Sequence, residues 1–431
     1  MLNKFFKLIA WTFYRDIKIK GLENLPDSGH AIFTPNHPNS LMDPLLLSCL
    51  PSKYRMRFVA KAPLFKIPLF GLLMRRIGAI PVIRKFEADG KVDYQSFFVS
   101  CLDTLTSGDS IVIFPEGASL PQSCMSSIKT GAARLFLLAR EKGLNVPVIP
   151  VGLNYEHGSI FRSSVVIWIA PPLETDDIIE KYREYPRDAV IELTGRVSKA
   201  LEECVFQSEN YLDRELMLYL EKIYNEDKTG DAWSERLNRL KQFEKGLNII
   251  RDSCLDEINR LRHMLSRHRK LAGLLHRLHP SYDNNKSRSL TSFLAALAGV
   301  PFAATGCLLA FLPYQSCDLI VKRLIKYDMA KTATFKVVYS IILFPITFIM
   351  EAILLNIFLG WIISILFLMV IIPLSYFTLY FMEWLYEEGW GIPVNLRKLR
   401  KTFQDRISQL LREQTSRIVD LIDDLASGLN Q

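Results

Sequence analysis

The chain has 431 residues, a net charge of +8 and a hydrophobic content of 49%, room for two or three domains. Its apolar residues are concentrated in 291–313 and 337–382, while the first 280 residues have an ordinary soluble mixture, so the composition excludes a wholly soluble protein and indicates a membrane protein with a large extramembrane part. No nucleic-acid motif accompanies the basic excess, which reads as contact with anionic lipid or an anionic substrate, and the seven cysteines are scattered without a C-x-x-C pair, as befits reduced packing residues.

Residues 1–20 are expected to form an amphipathic helix lying in the membrane interface. Phe5, Phe6, Leu8, Ile9, Trp11 and Phe13 are interleaved with Lys4, Lys7 and Arg15, the composition of an interfacial anchor. Residues 21–173 alternate short apolar runs with segments of helical period. The strand candidates are 31–34, 57–60, 79–83, 110–114, 146–152 and 165–169; the helix candidates are 42–50, 64–76, 92–106 and 127–142. Strands separated by helices predict an α/β domain with a mostly parallel central sheet flanked by helices. In such sheets ligands gather at the loops leaving the strand ends, and His37, Arg84 and Glu116 each closely follow a strand candidate.

Residues 174–285 are rich in charge and poor in Gly and Pro, which predicts a helical region. A stripe of Leu237, Leu240, Phe243, Leu247, Ile250, Leu255, Ile258, Leu261 and Leu265 suggests a long helix or helical hairpin over 233–278, with a linker at 280–290.

A membrane region follows over 291–390. Residues 337–382 hold two transmembrane helices at ~20 residues per span, a hairpin with a tight turn near Asn356–Gly360. Glu351 lies within the first of them, where an ionisable group needs a protein partner or the interface. Residues 291–313 are interrupted by Gly299, Pro301 and Gly306. Lys286 and Arg288 precede this segment, Lys322, Arg323, Lys326, Lys331 and Lys336 follow it, and Arg397, Lys398, Arg400 and Lys401 open the tail. Lys and Arg mark the cytoplasmic side, and all three basic segments share it only if 291–313 is re-entrant or interfacial. We therefore expect a re-entrant or interfacial helical hairpin broken near Pro301, with the α/β domain cytoplasmic; a full span is the alternative, and it would put either the α/β half or the tail on the outside. Residues 391–431 regain helical period and are expected to form an amphipathic tail.

Four segments carry chemistry. Asn36-His37-Pro38-Asn39-Ser40-Leu41-Met42-Asp43 places a histidine and a carboxylate near each other. Such a pair deprotonates an alcohol when the imidazole takes the proton and the carboxylate orients the ring; a turn with a capping Asp is the alternative for this segment alone. Gly78-Ala79-Ile80-Pro81-Val82-Ile83-Arg84 is a strand ending in a guanidinium, suited to a multi-oxygen anion. Phe114-Pro115-Glu116-Gly117-Ala118-Ser119 runs from a strand into a turn, and Val146–Gly152 is a strand bracketed by prolines.

In this order the four segments resemble the glycerolipid acyltransferase family, over roughly residues 20–172. The resemblance implies that His37 is the general base, that Asp43 orients it, and that the acceptor hydroxyl attacks a thioester carbonyl with no enzyme nucleophile. It implies that Arg84 binds the acceptor phosphate and that Glu116 and Gly117 form the third motif, Glu116 binding acceptor hydroxyls or fixing Arg84. Lys61, in Lys-Ala-Pro-Leu-Phe-Lys-Ile-Pro, and Lys129, in Lys-Thr-Gly-Ala-Ala, are further phosphate-binding candidates. The implied partners are an acyl thioester donor (acyl-CoA or acyl-carrier protein), a phosphorylated glycerol acceptor and membrane lipid, with no nucleic acid, metal or cofactor.

Two departures separate the chain from the usual family pattern. Five residues, not four, lie between His37 and Asp43, and Ala118-Ser119 replaces the Thr-Arg-Ser that often follows Pro-Glu-Gly. Both resemble the branch that acylates glycerol-3-phosphate or dihydroxyacetone phosphate in phospholipid biosynthesis. The alternatives are acylation of lysophosphatidate or another lysophospholipid, and an inactive membrane scaffold with an acyltransferase fold. A hydrolase is a third option, against which stands the lack of a G-x-S-x-G elbow.

Overall fold

The computed structural model describes residues 2–27, 29–68, 70–83, 94–119, 124–208, 211–224, 233–250, 256, 259–260, 262–268, 290–324 and 329–387. The chain divides into two units. The first comprises Met1–Arg214, Gly230–Glu244 and Tyr327–Thr334; the second comprises Glu215–Thr229, Lys245–Lys326 and Phe335–Gln431.

The first unit is built on a sheet of β1 (Asp16–Lys20), β2 (Ile32–Pro35), β3 (Met56–Lys61), β4 (Ile80–Val82), β5 (Ser110–Val112), β6 (Val148–Tyr155) and β7 (Ser164–Ile169). The order across the sheet is β1-β7-β6-β2-β5-β3-β4. Every neighbouring pair is parallel except β6–β7, so the sheet is mostly parallel, as expected.

The N-terminus differs from expectation. The helix α1 covers only Leu2–Phe13, and residues 16–20 join the sheet as β1. Asp16-Ile17-Lys18-Ile19-Lys20 alternates with the period of a strand, buries Ile17 and pairs in register with β7. On α1, Ala10 and Phe13 are buried, while Phe5, Leu8 and Trp11 are exposed.

The remaining helices of this unit begin with α2 (Met42–Leu47), α3 (Phe70–Arg76), α4 (Tyr94–Thr106), α5 (Gly131–Glu141), α6 (Asp176–Glu184) and α7 (Pro186–Cys204). The helix expected over 64–76 divides into a 3₁₀ turn at Ala62–Lys66 and α3, because Pro68 disfavours helical backbone at Ile67.

Side chains alternate between the faces of a strand, and β2 shows where each face goes. Ile32 joins the core made with α4, α5, α6 and α7. Phe33 is fully buried and meets Tyr54 edge-on at 5.8 Å. That core includes Ile178, Leu193, Val197 and Leu201, so the boundary expected at 173 is too early: α6 and α7 help to bury the sheet. Gly152 lets the end of α7 approach β6, since a Cβ there would lie 2.2 Å from the Cys204 carbonyl oxygen. The buried thiols of Cys101 and Cys204 are pushed up to about 12 by desolvation, as inert packing residues should be.

Two further helices are α8 (Tyr211–Tyr224) and α9 (Trp233–Ile250). At the start of α9, Trp233 Nε1 donates to the Asn154 carbonyl at 3.0 Å, and Leu237 and Leu240 are buried. Most of the stripe beyond 250 lies outside the described residues, as do the linker through 289 and the tail at 391–431.

The second unit carries α10 (Leu290–Leu324), most of α11 (Met329–Leu359) and α12 (Trp361–Glu387). All three are long and apolar enough to cross a membrane. The break expected near Pro301 is absent, for α10 is one helix with Pro301 and Pro313 inside it. Its glycines serve packing instead. A Cβ on Gly299 would meet Phe381, and one on Gly306 would meet Thr378. Small residues thus let α10 and α12 approach closely, antiparallel to one another. The turn expected near Asn356–Gly360 falls at Gly360, with φ +87°.

Candidate active site

The parallel strands β2, β5, β3 and β4 end at one edge of the sheet. His37 follows β2, Glu116 follows β5, Lys61 closes β3, and Arg84 would follow β4. Arg84 itself lies outside the described residues. At about 4.8 Å between strands, Lys61 is roughly 10 Å along this edge from His37.

Asp43 is fully buried in the first turn of α2, and its Oδ2 lies 2.7 Å from His37 Nδ1. The longer spacing between the two residues therefore does not part them. The same oxygen accepts the Asn39 N–H at 2.8 Å, and Oδ1 accepts the Tyr155 hydroxyl. Three donors on one buried carboxylate offset its desolvation. The bond to Nδ1 fixes the ring with Nε2 as its basic nitrogen. Phe114 stacks on the imidazole, centroid to centroid 3.9 Å.

Glu116 is buried, and both carboxylate oxygens hold backbone: Oε1 accepts the His37 N–H at 2.7 Å and Oε2 the Ser126 N–H at 3.0 Å. Its visible work is to tie the loop after β2 to the loop after β5. Gly117 has φ +70°, and a Cβ there would come within 3.1 Å of Lys129 Cδ and Nζ. Glycine at 117 thus gives the Lys129 side chain its path over the turn.

Three residues without a role in the sequence reading surround Asp43. Tyr14 sits just before β1 and Tyr155 closes β6, both at the edge that carries His37. Asn39 Nδ2 donates to Tyr14 Oη at 2.9 Å and to the Gly158 carbonyl at 2.8 Å. Burial, and then the Asp43 charge, push both phenols well above the ordinary tyrosine range. Tyr155 therefore stays protonated as the donor to Asp43. The alternation of residues 16–20 was the signal for β1, and hence for Tyr14; nothing local pairs Tyr155 with Asp43.

The loop between His37 and Asp43 is held at two further points. Ser40 N–H donates to Ser119 Oγ at 2.8 Å, and Leu41 N–H donates to Thr334 Oγ1 at 3.2 Å.

Residues 16–154 match the Acyltransferase family. The matched stretch holds the four motif segments. Over 144 residues the chain is 33% identical to a chloroplastic 1-acyl-sn-glycerol-3-phosphate acyltransferase of Arabidopsis thaliana, covering 33% of this chain and 37% of that protein. It is 31% identical over 144 residues to glycerol-3-phosphate O-acyltransferase 1 of Saccharomyces cerevisiae, covering 32% of this chain and 19% of that protein. The chain thus spans well under half the length of either relative. The solved acyltransferase PlsC of Thermotoga maritima aligns with a TM-score of 0.35 and 21% identity, over 47% of this chain and 75% of that one.

Proposed function

We propose that the protein moves a fatty acyl group from an acyl thioester to a hydroxyl of a phosphorylated glycerol, with glycerol-3-phosphate as the preferred acceptor. The observation that carries this reading is the 2.7 Å contact between His37 Nδ1 and buried Asp43, set at the strand edge of an acyltransferase-family domain.

His37 Nε2 takes the acceptor proton as the hydroxyl oxygen attacks the thioester carbonyl. Asp43 stabilises the imidazolium so formed. Collapse of the tetrahedral intermediate breaks the carbon–sulfur bond, and the imidazolium returns its proton to the departing thiolate. Lys129, Lys61 and Arg84 are proposed to hold the acceptor phosphate, and Glu116 to hold the base in place through its backbone. Acyl-CoA or acyl-carrier protein serves as donor.

Relatives named for glycerol-3-phosphate and for its 1-acyl derivative both match this domain. The five-residue spacing favours glycerol-3-phosphate; lysophosphatidate is the alternative. The membrane setting rests on α10, α11 and α12. The exposed Phe5, Leu8 and Trp11, with Lys4 and Lys7, suit contact with anionic lipid. Tyr327–Thr334, part of the catalytic unit, has Lys322, Arg323, Lys331 and Lys336 around it, the bias of a cytoplasmic flank.

Thioester consumption with and without acceptor tests the reading. Release that needs glycerol-3-phosphate supports transfer; acceptor-independent release means a hydrolase, and no release means a scaffold. His37→Ala is expected to lower turnover by about 10²–10⁴, and activity within about tenfold of wild type removes His37 as the base.

A further inference from the structure

We infer that Ser119 is a positioning residue that sets the His37–Asp43 pair by holding Ser40 in a left-handed turn. The inference rests on the proposed role of His37.

Five residues separate His37 from Asp43, yet their side chains meet at 2.7 Å. The intervening chain must fold back sharply, and it does so at Ser40, with φ +47°. Only glycine takes that conformation without strain, so a serine there must be held by its surroundings. Ser119 does the holding. Its Oγ accepts the Ser40 N–H at 2.8 Å and lies 3.2 Å from Ser40 Oγ, a second donor.

The neighbouring backbone is closed as well. Leu41 N–H reaches Thr334 Oγ1, and Met42 N–H bonds the Asn39 carbonyl at 3.0 Å. Asn39 N–H goes to Asp43 itself. Four consecutive backbone donors are thus satisfied in the bent form, and the bend delivers Asp43 to the imidazole. The two sequence departures thereby become one device: the added residue in the His–Asp loop is clamped by the serine at 119. Ser119 touches the turn that carries the pair and neither member of it.

The test uses the full chain in detergent, with acyl-CoA and glycerol-3-phosphate as substrates. Ser119→Ala is expected to lower kcat about tenfold or more while the acceptor KM stays within about threefold, since misplacing a catalytic group reduces turnover. Ser119→Thr, which keeps the hydroxyl, restores kcat. Adding Ser40→Gly to Ser119→Ala recovers most of the lost turnover, because glycine needs no clamp. With Ser119 intact, Ser40→Val lowers kcat and Ser40→Gly does not, a comparison that stands if Ser119→Ala fails to fold.

An unchanged kcat in Ser119→Ala overturns the inference. So does a rise in acceptor KM alone, which would make Ser119 a substrate ligand, and so does a failure of Ser40→Gly to rescue. Activity retained by His37→Ala sinks the general-base reading instead, whatever Ser119 does.

Discussion

Asp43 is the residue on which the site turns, and Tyr155 is its most informative neighbour. The phenol donates to a buried carboxylate that also serves His37. Hydrogen bonds to charged groups contribute about 1.5–3 kcal/mol, so Tyr155→Phe should destabilise the full chain by about that amount in chemical denaturation. It should also lower kcat more than it changes the acceptor KM, because the carboxylate that orients the ring is left looser. A variant as stable as wild type would mean that water or Asn39 replaces the phenol. The motif that names His37 and Asp43 lies within eight residues and was legible in the sequence. The shell around them was not, since Tyr14, Ser119 and Tyr155 come from distant segments and meet only when the strands align. Glu116 was legible as a site residue, but its hold on two distant backbone amides was not.

At the scale of elements, close approach decides more than propensity. Six of the seven strands were legible from apolar runs and their breakers. The seventh, β1, was hidden because the aromatic residues of α1 run directly into it and suggested one longer helix. Prolines misled in the opposite direction, since Pro301 and Pro313 sit inside α10 without ending it. Glycines mark where elements touch. At Gly152, a methyl group would sit 2.2 Å from the Cys204 carbonyl oxygen, which belongs to backbone and cannot swing aside. Gly152→Ala should therefore push the end of α7 off β6, and overpacking of this kind costs about 1–3 kcal/mol. A thermal scan of the full chain should show a midpoint lower by roughly 2–4 °C per kcal/mol for a unit of this size. An unchanged midpoint would mean that α7 is not held against β6 at this level.

At the scale of the whole molecule, a prediction of membrane topology follows from which segments share the first unit. Gly230–Glu244 and Tyr327–Thr334 both belong to it, which predicts that the chain between them leaves and returns on one side of the membrane. Among the described residues of that interval, α10 is the one helix long and apolar enough to cross. We predict that both ends of α10 lie on one side of the membrane. The break expected at Pro301 is absent, for α10 is one continuous helix. The helices α11 and α12 are each long and apolar enough to cross, and Gly360 joins them. The antiparallel fit of α10 on α12, through Gly299 against Phe381 and Gly306 against Thr378, likewise places the start of α10 beside the end of α12. Glycosylation acceptors inserted near residues 288, 326 and 390, read in sealed microsomes, should therefore all report the same side. An acceptor at 326 on the side opposite to 288 would mean that α10 crosses fully. That outcome would remove the one-sided topology predicted from the shared unit.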